Sequence, residues 1–253
     1  FESDRWYRRA FFVPAGAVLL AACAYGLQDS DIGIRVQVAI PLYLAGLFVF
    51  CMFLHGELAR LRPGTRHLTR FYLMLSLGGA LGGTCVGIIA PRILPAYYEL
   101  GIGFAMTAGL AAFMLRRNRP VMLVGTLLAL ASGYFLYAQI SEDFNGAWHL
   151  KRNFYGAIST KDSLDHTVDD RVRRLFHGSI IHGEQYLSEA RRREPTAYYG
   201  RTAGIGLAIA TTNPVQKKVG VIGLGAGTLA AYGMPGDIYR LYEINPQVIE
   251  LAS

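Results

Sequence analysis

The stretch Val219-Gly-Val-Ile-Gly-Leu-Gly-Ala-Gly-Thr-Leu-Ala-Ala-Tyr232 determines how the second half of the chain folds. It predicts a short strand, a turn with glycine at every second position, and then a helix. A second strand follows and ends in Leu241-Tyr-Glu-Ile-Asn245. This order of elements is typical of the start of a Rossmann-like parallel sheet of the methyltransferase type.

The glycines and the acid that follows them predict a nucleotide-type cofactor site. Gly223, Gly225 and Gly227 let the backbone turn tightly and approach a ligand, because glycine has no Cβ. Glu243 follows Gly223 by about 20 residues, a spacing that suits a carboxylate binding two ribose hydroxyls. A glycine scaffold without a ligand is the alternative interpretation.

Residues 1–140 have a different character, because they hold five apolar runs without charge at their centres. Each run is about 18 to 21 residues long, which suits a helix crossing a hydrocarbon layer of about 30 Å. Helices of a soluble bundle would carry polar faces, and these runs do not. We expect about five transmembrane helices in contact with a lipid bilayer, at Phe11–Gln28, Val36–Leu54, Phe71–Ala90, Tyr97–Leu115 and Pro120–Ile140.

Between the membrane domain and the glycine turn, the chain predicts a small antiparallel β element at residues 141–194. Its strands are expected at Phe154–Ser159, Arg171–Phe176 and Ser179–His182. Residues 195–253 then form the N-terminal part of a Rossmann-like domain, beginning with a helix at Glu194–Ala210. Two parallel strands cannot bury both of their faces, so this domain is expected to be truncated in the chain.

The positive charge of the chain indicates membrane orientation rather than nucleic-acid binding. The net charge is +7, and the arginines lie in short loops between apolar runs. Ten arginines fall on one side of the five runs: Arg5, Arg8, Arg9, Arg60, Arg62, Arg66, Arg70, Arg116, Arg117 and Arg119. The other side carries Arg35 and Arg92, with Asp29, Asp31 and Glu99. We therefore expect a cytoplasmic N-terminus and, after five crossings, an extracytoplasmic soluble half.

The third apolar run carries glycines four residues apart, which line one helix face. Such a face lets another helix backbone approach closely and indicates contact with other membrane protein subunits. The glycines are Gly78, Gly79, Gly82, Gly83 and Gly87.

No metal site is expected from the sequence. Cys23, Cys51 and Cys85 lie inside apolar runs and show no CxxC spacing. His177 and His182 have no third ligand nearby in sequence.

Two charged groups leave alternatives open. His55 and Glu57 are interpreted as an interfacial loop with snorkelling side chains, with a proton relay as the alternative. Arg191-Arg-Arg193 is interpreted as a solvated face, with contact to anionic lipid or to a partner as the alternative.

Several motifs of the chain resemble the spermidine synthase family, in particular its membrane-fused bacterial branch. In the soluble half they are His177-Gly178 with Gly183-Glu-Gln185, Tyr198-Tyr199-Gly200, the glycine turn, and Tyr242-Glu243-Ile244-Asn245. In the membrane half they are His55-Gly-Glu-Leu-Ala-Arg-Leu-Arg-Pro63 and Phe71-Tyr-Leu with Gly78-Gly-Ala-Leu-Gly-Gly83. The resemblance implies a bacterial inner-membrane protein.

In that family a small β domain and a Rossmann domain enclose decarboxylated S-adenosylmethionine and a polyamine. The resemblance therefore implies an S-adenosyl-type cofactor, with Glu243 on the ribose and with Gln185 and Tyr198 lining the cleft. Three positions depart from the family pattern, since His177 replaces an acidic residue, Gly200 replaces a glutamate and Ala226 replaces an acid that binds the amine end. The family's catalytic aspartate follows later strands, so no catalytic residue is assigned.

Two functions are compatible with these observations. The first is a membrane-anchored transferase domain, of the aminopropyl- or methyltransferase type, that binds an S-adenosyl ligand. The alternative is a non-catalytic accessory or assembly subunit of a larger membrane complex. The missing acids, the outward soluble half and the truncated catalytic core favour this alternative, and the glycine face offers a packing surface.

Overall fold

The computed structural model describes residues 6–27, 35–212 and 216–252. Arg5, Asp29 and Asp31, which entered the prediction of orientation, lie outside these ranges. The chain divides into two compact units. One contains residues 1–90 and 97–142, and the other contains residues 91–96 and 143–253.

The first unit is built from apolar helices, as the sequence predicts. They are α1 Arg9–Gly26, α2 Val36–Arg60, α3 Leu68–Thr84, α4 Ala90–Ile93, α5 Glu99–Met114 and α6 Arg119–Phe144, of which residues 91–93 and 143–144 fall in the other unit. Among the described residues, four helical stretches are long and apolar enough to cross a membrane: α1, α2, α6 and the continuous stretch Thr65–Ile93. The fourth predicted run forms α5, whose 16 residues span about 24 Å at 1.5 Å per residue.

Helices α1, α2 and α5 share the core of this unit. Leu20 and Cys23 of α1 are buried with Phe104 and Ala108 of α5, and residues of α2 pack around them. A second cluster joins Phe12 of α1 to the α2 side chains Val49 and Phe53.

The stretch Thr65–Ile93 differs from its neighbours because it packs little inside the unit. None of its described residues is buried. A π-helical turn at Cys85–Ile89 lies between α3 and α4. Its apolar surface is therefore available to lipid or to another helix.

The second unit begins with a four-stranded antiparallel sheet in the order β1-β2-β3-β4, which confirms the predicted β element. The strands are β1 Ala147–Asn153, β2 Gly156–Asp165, β3 Asp170–His177 and β4 Ile180–Tyr186. The sequence missed β1, because its polar residues show no regular alternation. The predicted strand Phe154–Ser159 is also too short, because the pairs Asp162↔Arg173 and Asp165↔Asp170 extend β2 to Asp165.

A parallel pair of strands follows, again as predicted. Strand β5 Lys218–Ile222 pairs with β6 Ile238–Tyr242, with Val219 opposite Tyr239 and Val221 opposite Leu241. Within the described residues this sheet has two strands. The short helix α8 Pro246–Ala252 follows β6.

Two predicted helices are wrong in extent. Only a five-residue 3₁₀ turn, Thr228–Tyr232, follows the glycine turn. Gly233 and Pro235 end it, because neither residue favours a helix interior. In place of the predicted helix at 194–210, the chain forms a 3₁₀ turn at Ala197–Tyr199 and then α7 Gly204–Thr211.

Candidate functional site

The glycine turn connects β5 to the 3₁₀ turn and adopts a backbone that only glycine adopts easily. The φ angles are +88° at Gly223, +55° at Gly225 and +72° at Gly227. The Gly223 N–H donates to the Tyr242 carbonyl over 2.8 Å, which fixes the turn to the end of β6. The Gly227 N–H donates to the Leu224 carbonyl over 2.9 Å and closes the turn.

Glu243 lies directly after β6, and its carboxylate reaches back to the glycine turn. Its Oε2 accepts a hydrogen bond from the Leu224 N–H over 3.0 Å. Its Oε1 accepts from the N–H groups of Ile244 and Asn245, over 2.9 and 2.8 Å. Both oxygens are thus held by the backbone. Oε1 already accepts two hydrogen bonds, and Oε2 retains one lone pair for an incoming donor.

These hydrogen bonds also set the acidity of Glu243. Burial alone would raise the pKa of its carboxyl, but the N–H donors of Asn245, Leu224 and Ile244 outweigh burial and lower the pKa below its ordinary value. Glu243 is therefore ionised at neutral pH, as an acceptor of a ribose hydroxyl should be.

Asn245 fixes the segment that follows Glu243. This side chain is 4% exposed, and its Oδ1 accepts from the Gln247 N–H at the start of α8 over 3.1 Å. The same oxygen accepts from Asn153 Nδ2 at the end of β1 over 2.7 Å. The end of β6 is therefore tied to the antiparallel sheet.

Strand β4 packs against the glycine turn with no room for side chains between them. A Cβ built on Gly183, whose φ is +153°, would lie 2.5 Å from the Cβ of Ala226. A Cβ built on Gly225 would lie 3.1 Å from the His182 carbonyl oxygen. Glycine is thus required on both sides of this contact.

Tyr198 approaches the same contact from the 3₁₀ turn at Ala197–Tyr199. Its hydroxyl donates to the His182 carbonyl over 3.2 Å, and its ring lies 4.4 Å from the Tyr199 ring, measured between centroids. Burial raises the pKa of Tyr199 to about 12, so this residue stays protonated at neutral pH. Tyr232 donates to the Tyr199 carbonyl over 2.6 Å and connects the two 3₁₀ turns.

A cleft of about 320 Å³ opens between β4, the segment after it and the glycine turn. Gln185 lies in its wall and donates through Nε2 to the Arg192 carbonyl over 3.0 Å. Thr228 also lies in the wall, and its hydroxyl has no hydrogen-bond partner in the part of the chain that the structure describes. The remaining wall residues are Arg192, Arg193, Glu194, Ala226, Gly227, Ala230, Ala231 and Gly233.

The structure brings the six predicted site residues to one turn but not into one cavity. Gln185 and Gly227 line the 320 Å³ cleft, and Gly225 shares a smaller one of about 80 Å³ with Gln185. Gly223 belongs to the turn, Glu243 bonds to it and Tyr198 bonds to His182 of β4, but none of the three lines either cleft.

Sequence reasoning assigned Arg191–Arg193 to a solvated face and therefore missed the cleft. Arg192 and Arg193 are exposed, as predicted, yet they form one wall. They lie four and three residues before Thr196, whose hydroxyl donates to the Glu184 carbonyl of β4, and this contact places them beside Gln185.

The two histidines of β3 and β4 lie near each other, with ring centroids 5.5 Å apart. His177 Nε2 lies 3.0 Å from the Tyr155 carbonyl oxygen, so this nitrogen is already in a hydrogen bond. Across residues 6–27, 35–212 and 216–252, no three His, Cys, Asp or Glu side chains cluster in a way that could hold a metal ion.

The predicted interfacial loop around His55 and Glu57 is wrong, because both residues lie inside α2. Glu57 is 1% exposed, and its Oε1 accepts hydrogen bonds from Tyr7 Oη and Arg9 Nε, each over 2.6 Å. Arg9 completes a two-point contact through Nη2 to Oε2. The group joins the start of α1 to the end of α2, which explains a buried acid in an apolar unit.

The resemblance to spermidine synthases remains a prediction from the quoted motifs. No protein-family model, curated protein or solved structure matches the chain.

Proposed function

We propose that the chain is a membrane-anchored protein of the spermidine synthase type whose second unit binds an S-adenosyl ligand at the glycine turn. One observation carries the proposal: the Glu243 carboxylate is bonded to the Leu224 N–H at 3.0 Å, inside the turn. An acid fixed beside left-handed glycines is the arrangement that a ribose with two adjacent hydroxyls requires. The four long apolar helical stretches supply the membrane anchor.

The residues present fit the adenosine end of such a ligand better than its amine end. Glu243 is ionised and offers a free lone pair on Oε2, while Gly223 and Gly227 leave the backbone open to a close approach. A polyamine or aminopropyl amine needs carboxylates near it, and Ala226 offers none. We therefore favour transfer chemistry that does not depend on a polyamine, and we assign no catalytic residue.

Isothermal titration tests this proposal directly. Intact protein in detergent is titrated with S-adenosylmethionine, its decarboxylated form and methylthioadenosine, which share the adenosine moiety. We expect binding of all three and a loss of about tenfold or more in Glu243→Gln, because the ribose loses a charged acceptor. Absence of heat with all three ligands would remove the proposal.

Asp237→Asn provides a matched control for this titration. Asp237 also accepts backbone hydrogen bonds at the end of a connection, from Lys217 over 2.8 Å and from Met234 over 3.0 Å. It lies before β6 instead of after it, and outside the glycine turn. Equal loss of binding in both variants would mean that Glu243 acts only through the stability of the unit.

A second candidate function is supported by the exposed glycine face of the membrane unit. At Gly78, Gly79, Gly82, Gly83 and Gly87, no atom of the described residues lies within 4 Å of where a Cβ would stand. The stretch Thr65–Ile93 therefore presents a backbone surface without a partner in its own unit. We propose that another membrane subunit packs there, as in an accessory or assembly protein.

Substitution of one glycine separates this function from the first. Gly82→Leu leaves the fold of the unit unchanged, since nothing occupies the space, but blocks close approach of another helix. We expect the mutant to lose a partner that copurifies with the wild type in mild detergent. Gly133→Leu in α6 is the control, because Gly133 is equally open but stands outside the glycine face. A wild type that is a monomer with transferase turnover would contradict the accessory function.

We propose a bacterial inner-membrane location with the N-terminus in the cytoplasm, because of the arginine distribution. The side on which the second unit lies depends on α5. If α5 crosses the bilayer together with the four longer stretches, this unit is extracytoplasmic, and otherwise it is cytoplasmic. An alkaline-phosphatase reporter fused after Ser253 is active only in the first case. A reporter of cytoplasmic fluorescence alone would overturn the outward assignment.

A further inference from the structure

The cleft beside the glycine turn has a charge opposite to that of an amine site. Its wall contains Arg192, Arg193 and Glu194, and no other ionisable side chain of the described residues lines it. Ala226 stands in the same wall without a charge. The cleft is therefore cationic by composition, before any pairing is considered.

The ion pairs around the cleft leave one guanidinium uncompensated. Glu194 accepts two hydrogen bonds from Arg191, through Nε over 3.1 Å and Nη2 over 3.0 Å. Arg192 Nη1 donates to Glu189 over 2.8 Å. Arg193 has neither a hydrogen bond nor an ion pair with any residue in the described ranges, so its charge is available to a ligand.

From this arrangement we propose that the cleft receives an oxyanion, a carboxylate or a phosphate, on the ligand bound at the glycine turn. Arg193 supplies the charge, and Gln185 fixes the segment by its bond to the Arg192 carbonyl. The inference rests on the proposed function for the adenosine end and adds to it the charge of the distal end. The preferred ligand is then an adenosyl compound with an acidic group, and a purely cationic one is disfavoured.

The test compares ligands that differ in that group alone. S-adenosylmethionine carries a carboxylate that its decarboxylated form lacks, and adenosine monophosphate carries a phosphate that adenosine lacks. We expect at least one acidic ligand to bind about tenfold more tightly than its partner at low salt, because a charge-assisted bond to an exposed arginine is of that order. The preference should shrink as ionic strength rises.

Arg193→Gln should abolish this preference while leaving the affinity for methylthioadenosine unchanged, and Arg193→Lys should keep part of it. Arg240→Gln is the matched control, since Arg240 is an exposed arginine of β6 outside the cleft. A preference for S-adenosylmethionine identifies the carboxylate as the oxyanion, and a preference for the monophosphate identifies the phosphate. No preference in either pair, or a preference that survives Arg193→Gln, overturns the inference even when methylthioadenosine binds.

If no adenosyl compound binds, the proposed function fails, and inorganic phosphate decides the inference by itself. Phosphate at constant ionic strength should then raise the melting temperature of the intact protein but not of Arg193→Gln. An equal effect on both proteins, or none on either, overturns the oxyanion site.

Discussion

Glu243→Gln should loosen the glycine turn at one amide in particular. The glutamine carbonyl is expected to keep the two N–H donors of Ile244 and Asn245, because two hydrogen bonds outweigh one. Its NH₂ group then faces the Leu224 N–H, which loses its acceptor. A hydrogen bond to a charged group contributes about 1.5–3 kcal/mol, and the partly exposed position of Glu243 favours the lower end.

A loss of about 2 kcal/mol corresponds to exchange of the Leu224 amide about 30-fold faster. Hydrogen exchange of the intact protein in detergent, followed by mass spectrometry of peptides covering residues 218–228, measures this change. Asp237→Asn should leave the Leu224 amide protected and instead expose the amide of either Lys217 or Met234, since asparagine keeps one carbonyl acceptor. Unchanged exchange at Leu224 in Glu243→Gln would refute the role of this carboxylate in holding the turn.

The same substitution has a predictable pH dependence. The carboxyl of Glu243 has a folded-state pKa below its ordinary value of 4.5, so its ionised form stabilises the folded protein. That contribution is complete above about pH 4.5 and disappears as the pH falls through the lowered folded pKa. The stability difference between wild type and Glu243→Gln should therefore be constant from pH 6 to 8 and shrink in acid. A difference that grows in acid would contradict this assignment.

Three further outcomes follow from the contacts. Gly225→Ala should lower the free energy of unfolding by about 1–2 kcal/mol, because the φ of Gly225 is +55° and the new Cβ would contact the His182 carbonyl. Gly220→Ala in β5 is the control, since its Cβ would lie within 4 Å of no described atom. Equal melting temperatures of the two variants would contradict this prediction. Arg9→Gln should lower the melting temperature in detergent, because it leaves Glu57 with one hydrogen-bond donor, Tyr7. The control Arg8→Gln, at an exposed arginine, should leave the melting temperature unchanged. A larger decrease in Arg8→Gln than in Arg9→Gln would contradict a role of the ion pair in joining α1 to α2. Gly183→Ala should cost more than Gly225→Ala, because its Cβ would fall 2.5 Å from that of Ala226; a smaller loss would show that β4 can move away from the turn.

The sequence predicts the helices of the first unit well, because composition alone defines them. A run such as Val36–Leu54 is apolar on every face, and no partner is needed to recognise it. Its end is less certain, since α2 continues to Arg60 and includes Glu57. The sequence alone favours a loop position for this acid. The structure shows that Tyr7 and Arg9, about 50 positions earlier in the chain, bind its carboxylate.

The second unit is harder to predict, because non-local pairing defines it. Strand β1 forms against β2 despite polar residues such as His149 and Lys151. The helix predicted after the glycine turn does not form for a local reason that the sequence contains, namely Gly233 and Pro235. Turn chemistry therefore outweighs the motif at this point of the chain.

In the candidate site, too, some residues can be recognised from the sequence and others cannot. The three glycines and Glu243 are recognisable from spacing, and the structure joins them through the Leu224 N–H. Arg193 is not recognisable, because a run of three arginines is most often solvated. Its place in the cleft wall depends on the hydrogen bond from Gln185 to the Arg192 carbonyl, which the sequence does not indicate.

The packing of Gly183 against Ala226 also limits how this protein can change during evolution. With the backbone of β4 so near, a larger residue at 226 must direct its added atoms away from Gly183 or displace the strand. A single change to an acid at this position is therefore restricted to side-chain orientations that leave β4 in place, toward the cleft that Ala226 also lines.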